Sequence, residues 1–287
     1  MIARRVAIVV GILALLNAFG AWRVMARIPW AGDHKALAAL VALTFFALQM
    51  VGPFGDHLWF PAMRRARLGL IVRAIDWVSH LVHHVHHALH IAAPDMIALT
   101  GDFADSNPDD VEQAITPLAD LTAAHGVYFV TGNHEYFWDA AAWMAAFRRL
   151  GAKVLTNEHT VIGRGTDAVV VAGVTDISTR RMGPPHGSNP AAALAGAPPT
   201  TKILLAHQPA SCVDAEKAGA DLQLSGHTHS GQYFPFNLMI GWFQRYYKGL
   251  NRHGALWVYV NQGTGYWGPP LRAGVPAEVT LLILRRA

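Results

Sequence analysis

Three stretches of this chain end an apolar run in glycine and follow it at once with residues that bind metals or move protons. Met96–Thr100 runs into Gly101-Asp102, Val127–Thr131 into Gly132-Asn133-His134-Glu135, and Leu222–Ser225 into Gly226-His227-Thr228-His229. A fourth run, Lys202–Ala206, ends in His207. Carboxylate, amide oxygen and imidazole are the hard and borderline donors that suit a hydrolytic metal site. Singly, a Gly-Asp or a Gly-His is usually just a turn. The ordered set of Asp102, Asn133, His207, His227 and His229 is a donor set.

Such residues need strands that all deliver them to one edge. Polar ligands just past buried strands sit at the carboxyl edge of an open α/β sheet, where these folds build their sites. From Pro94 onward the pattern supplies them: the runs above as strands, and further strands at Lys153–Asn157 and Ala168–Val174. Helices are expected at Asp109–Ala124, whose first residues are acidic, and at Ala140–Leu150, with Gly151 as its C-cap. Thr175–Thr201, rich in Pro, Gly and Ala, reads as a surface excursion facing substrate. Ala255–Val260 and Val279–Leu284 close the chain as strands. Strands alternating with helices, then a strand-rich end, suggest a layered α/β sandwich.

The first third obeys a different grammar. Of 287 residues, 52% are hydrophobic and only 15% charged, which points to membrane segments. Two apolar runs, 6–22 and 36–54, are long enough to span a bilayer, and a region of 1–67 holding two transmembrane helices is the preferred reading over a signal peptide. Arg4, Arg5, Arg23, Arg27, Arg64, Arg65, Arg67 and Arg73 flank these runs. They make phospholipid headgroups the expected partner rather than nucleic acid, and by the positive-inside rule they put the C-terminal domain in the cytoplasm of a multi-pass inner-membrane protein. Residues 68–92 form a junction with Val78, Leu81, Val82, Val85 and Leu89 on one helical face. His80, His83, His84, His86, His87 and His90 occupy the other, either as a metal-binding tract or as the polar side of a surface helix. The single cysteine, Cys212, excludes an internal disulfide.

The motifs L-T-G-D, V-T-G-N-H-E-Y, L-L-A-H-Q-P, L-S-G-H-T-H-S-G-Q and G-T-G-Y-W-G-P-P resemble those of the calcineurin-like metallophosphoesterases, in the bacterial branch with N-terminal membrane helices. The resemblance runs from about Pro94 to the C-terminus and implies, for 93–287, a two-sheet β-sandwich flanked by helices with a dinuclear metal centre at the sheet edge. It implies that Asp102 bridges two divalent ions (Mn, Fe, Zn or Ni), that Asn133, His207 and His227 complete one shell, and that His229 binds the other ion. The ions would clamp a phosphoryl oxygen and lower the pKa of an attacking water. His134 would stabilise developing charge or protonate the leaving oxygen. Glu135 would orient a neighbouring histidine or simply start a helix; Tyr266 and Trp267 would line the cleft or pack in the core.

The family also carries an Asp-x-His strand before the Gly-Asp strand. Between Leu68 and Pro94 no such triplet stands. Asp76 with Val78 in the histidine place is one alternative, a deletion of the strand the other, and replacement by the histidines of 80–90 a third. Two functions follow: a membrane-anchored metal-dependent phosphoesterase acting on a phosphorylated small molecule or lipid-linked substrate, or a non-catalytic relative that binds one metal or a phosphorylated ligand.

Overall fold

The computed structural model describes residues 92–103, 106–183, 186–267 and 272–285. The expected spans at 6–22 and 36–54, the histidine-rich tract and Asp76 lie outside the described residues. Among those described, no helix is long and apolar enough to cross a membrane.

Two sheets form the centre. The first is parallel throughout, in the order β1-β2-β3, from Ile97–Leu99, Val127–Phe129 and Lys153–Val154. The second holds β4 (Glu158–Ile162), β5 (Val169–Gly173), β6 (Thr201–Leu205), β7 (Leu222–Ser225), β8 (Gly249–His253) and β9 (Leu256–Val260), in the order β4-β5-β6-β7-β9-β8. Its inner strands run parallel, and β4 and β8 pair antiparallel at the edges. Strands covered on both faces must be apolar at successive positions. The V-Y-F of β2 and the V-V-A of β5 satisfy that, and Tyr128, Phe129, Val170, Val171 and Ala172 have no exposed surface.

The sheets pack face to face through Tyr128, Val130 and Leu155 on one side and Val171, Ile203 and Leu205 on the other. On the outer face of the first sheet lies the helix Ala140–Arg149, capped by Asp139, whose side chain accepts the Ala142 N–H at 2.9 Å. Its Phe147 stacks on Phe129 with ring centroids 3.8 Å apart. The helices Pro190–Ala193 and Cys212–Lys217 cover the far face of the second sheet over Val170, Leu204 and Val258. The expected two-sheet sandwich is therefore the observed architecture.

Several details differ. The helix expected over Asp109–Ala124 is broken into a 3-10 turn at Pro108–Val111, a single α turn at Glu112–Ile115 and a second 3-10 turn at Thr116–Asp120. Pro117 has no N–H to continue the ladder. The strand at 153–157 ends at Val154, and an unanticipated strand, β4, begins at Glu158. The 175–201 excursion is partly interior: Thr175, Asp176, Thr179, Pro190, Ala193 and Leu194 are all buried. Val279–Leu284 is not a strand. It has no ladder partner among the described residues, and Val279, Leu281, Leu282, Ile283 and Leu284 are exposed.

Candidate metal centre

Two of the strand ends deliver their residues through a backbone conformation that few side chains adopt. Asp102 follows β1 with φ of 58°, His227 follows β7 with φ of 68°, and His229 has φ of 48°. Left-handed non-glycine residues are costly and persist where the surroundings over-determine them, often at functional sites. The β1 and β2 loops also approach too closely for a side chain at position 132. A Cβ on Gly132 would lie 2.1 Å from Asp102 Oδ1.

Glu135 holds that approach together. It sits in the first turn of the helix Asn133–Trp138 and is fully buried. Its carboxylate accepts the N–H groups of Asp102 (2.9 Å), Phe103 (2.9 Å) and Gly132 (2.6 Å). Of the two roles considered for Glu135, the helix-start carboxylate is the observed one, and the groups it orients are backbone amides rather than a histidine ring. Burial pushes its pKa up, as does the nearby Asp102 charge, while the three N–H donors pull the other way.

At the edge so formed, one donor atom each from Asp102, His207 and His227 lies within 4.8 Å of the others. His207 Nδ1 donates to the Thr100 carbonyl at 2.6 Å, which turns Nε2 toward the site. That Nε2 is 2.8 Å from Asp102 Oδ2 and 3.2 Å from His227 Nδ1. His134 donates its backbone N–H to Asp102 Oδ1 at 2.9 Å, and its ring Nε2 stands 4.0 Å from Asp102 Oδ2.

The electrostatics describe a site built for one added positive charge. Burial disfavours a charged His207, yet the Asp102 carboxylate prevails and raises its pKa to about 9. Burial likewise works against the Asp102 charge, but His207 and His134 hold its carboxyl well below the usual range. His227 is lowered to about 3 by burial and then by the His207 charge, so its ring is neutral with a lone pair to offer. With no ion bound, the raised pKa of His207 places a positive charge beside Asp102.

The donor set fits a divalent ion. One carboxylate and two imidazoles converge, and Asn133 Oδ1 is buried without a hydrogen-bond donor among the described residues. An amide oxygen left unsatisfied in the interior is costly unless something coordinates it.

His229 lies outside that group of three, within reach of the Asp102, His207 and His134 charges. Arg272 Nη2 lies 2.9 Å from its Nδ1, and Arg272 is itself fixed by the Gln262 carbonyl at 2.8 Å. Burial first, and then the guanidinium, lower His229 to about 4. Arg272 was not foreseeable, because a lone arginine in a Gly- and Pro-rich tail carries no motif. Asp176 was not foreseeable either, because it stands alone past β5 without a motif around it. It is wholly buried beyond β5, and its Oδ1 accepts from Ser178 N–H and the Gln208 side chain, next to His207. Trp267 and Tyr266 are half-buried, and Trp267 is fastened through its backbone to both ends of the Gln232 side-chain amide.

The chain belongs to the calcineurin-like phosphoesterase family, whose description matches residues 71–231. It is 35% identical over 239 residues to a transmembrane protein with metallophosphoesterase domain from Bos taurus, covering 79% of this chain and 51% of that one. It is 32% identical over 217 residues to the metallophosphoesterase YkoQ of Bacillus subtilis, covering 72% and 78%. Among solved structures, the NAD nucleotidase of Haemophilus influenzae aligns at 14% identity with a TM-score of 0.42, over 65% of this chain and 44% of that one. The chain spans about half the length of the first curated relatives it matches.

Proposed function

We propose that this chain is a metal-dependent phosphoester hydrolase anchored in the inner membrane by spans at 6–22 and 36–54. The observation that carries the reading is the convergence of Asp102, His207 and His227 at one sheet edge with the His134 ring beside their carboxylate. Family membership supports the reaction type, and relatives from cattle and zebrafish named as transmembrane proteins support the anchoring.

Asp102, Asn133, His207 and His227 would hold the ion. A bound divalent metal supplies an activated water and draws charge from a phosphoryl oxygen. His207 would give up its proton to admit it, and Glu135 keeps Asp102 aimed at the site by holding its backbone. His134, anchored to Asp102 through its N–H, offers its ring Nε2 to the leaving oxygen or to charge developing on phosphorus. The substrate class is a phosphomonoester or phosphodiester, including a lipid-linked one. The test is hydrolysis of an aryl phosphodiester by the purified full chain with added Mn²⁺. Turnover is expected in the wild type and none in His134→Ala; equal rates would sink the reading.

A second reading draws on His229. Its Nδ1 faces a guanidinium rather than a carboxylate, and a cation there opposes a second metal. On this reading the chain binds one ion, or a phosphorylated ligand, without turnover. Metal per folded chain separates the two: two ions support the dinuclear enzyme, one or none the binder.

A further inference from the structure

The helix Phe236–Phe243 follows directly on the His229–Gly231 turn, and it is built the wrong way round for a soluble domain. Ile240 is buried, but Leu238 is 69% exposed, Trp242 79% and Phe243 63%, with Phe234 just upstream at 68%. Leu238 and Trp242 are one turn apart and share a face. Large apolar side chains grouped in water mark a binding surface more often than chance does.

The chain that follows the helix is basic. From Leu222 to Ala277 there is no Asp or Glu, and Arg245 and Lys248 are exposed just past the helix end. Arg252 lies further along β8, whose hairpin with β9 meets Glu216 through His253 at 3.7 Å and the Ala255 N–H at 2.9 Å. Each cation rides over an aromatic ring: Arg245 over Tyr246 at 5.3 Å, Lys248 over Tyr247 at 5.6 Å, and Arg252 over Trp257 at 4.6 Å.

The patch is tied firmly to the metal loop. Gly231, with φ of 75°, lies so close to the helix that a Cβ there would come 2.5 Å from Asn237 Cα. Tyr247 packs under Gly241 of the helix, and its carbonyl accepts the Thr228 hydroxyl at 2.7 Å, between His227 and His229.

From this geometry we infer that Phe236–Phe243, with Arg245 and Lys248 just past its end, docks on an anionic lipid bilayer. Aromatic and aliphatic tips seated at headgroup depth beside exposed cations are the signature of interfacial binding. A protein partner fits less well, since a stable interface takes roughly 20–30 residues from each side and this patch is one short helix. The docking is separate from the expected spans in the first third of the chain. Taken with the phosphoesterase reading, on which this clause rests, it sets the metal loop at the headgroup layer and makes a bilayer-borne phosphoester the substrate class.

The test uses the full chain with Cys212→Ala in vesicles of phosphatidylcholine and phosphatidylglycerol. A nitroxide is placed at Leu238→Cys or Trp242→Cys, and at Val161→Cys on β4 as an exposed reference. Collision with oxygen and with a water-soluble nickel chelate is then read by electron paramagnetic resonance. Docking gives high oxygen and low nickel collision at 238 and 242, with the reverse at 161. Adding Arg245→Glu and Lys248→Glu should return both helix sites to nickel contact, while soluble aryl phosphodiester hydrolysis is unchanged. Nickel contact at 238 and 242 in the unreversed protein overturns the inference, as does low collision with both reagents, which would mean a protein covers the helix. Because depth is read without turnover, a failure of docking and a failure of the phosphoesterase reading show up separately.

Discussion

Asp102 and Glu135 are locked together through a backbone amide rather than through their charges. The Asp102 N–H donates to Glu135 Oε2 at 2.9 Å, while the Asp102 side chain receives the N–H of His134, the residue next to Glu135, also at 2.9 Å. Two carboxyl groups are thereby held near one another in the interior, where burial and then the Asp102 charge push the Glu135 pKa up.

Removing that lock should loosen the whole edge. Glu135→Ala leaves three N–H groups without their acceptor, at about 1–3 kcal/mol for each one that stays dry. A loss of roughly 3 kcal/mol in denaturant unfolding is expected, together with weaker metal binding. Glu135→Gln keeps an acceptor oxygen and should cost less. Equal melting of Glu135→Ala and wild type would show that the amides find other partners.

The close approach at Gly132 makes a sharper demand. A methyl group would fall 2.1 Å from Asp102 Oδ1, so Gly132→Ala must displace the carboxylate. Metal content is expected to fall while the sandwich core, centred on Tyr128 and Val171, still forms. Unchanged metal content with native circular dichroism would contradict the placement of Asp102.

Metal and proton compete for His207. Its pKa in the folded, metal-free protein is about 9, above the ordinary 6.5, so the stability it contributes is complete below pH 6.5 and fades as pH rises through about 9. Metal binding runs the opposite way. Asp102 is already charged and His227, at about 3, already neutral, so one proton leaves per ion. Affinity should rise about tenfold per pH unit between pH 7 and 8. Calorimetry in buffers of different ionisation enthalpy counts that proton; a count of zero would show that His207 is not the ligand.

Much of this site is legible in the sequence because its donors stand at strand ends, where an apolar run turns polar in one step. Asp102 and His227 follow a glycine there, His207 follows Ala206, and the three meet in space. Arg272 and Asp176 left no such trace, since their roles depend on loops folding back onto the edge. The fold shows the same division. The buried strands were legible from composition, whereas β8, with its G-L-N-R-H, gains strand character only from its antiparallel partner β9. Val279–Leu284 has strand composition without a partner among the described residues, and composition alone does not make a ladder. Pro117 was visible and should have ended the helix there.

The Arg272 contact offers a direct check on His229. Burial is the larger cause of its depressed pKa and the guanidinium the second. Arg272→Met should therefore raise the His229 pKa above about 4 without restoring the ordinary value. Imidazole resonances followed by NMR report it; no movement would mean the guanidinium does not face the ring.

The central claim is that Asp102, His207 and His227 hold a divalent ion. Metal analysis of the folded full chain, loaded with Mn²⁺ and desalted, tests it most directly beside His227→Ala and His134→Ala. At least one ion per chain is expected in the wild type and in His134→Ala, with loss in His227→Ala. Retention of the ion in His227→Ala, or no ion in any of the three, would contradict it.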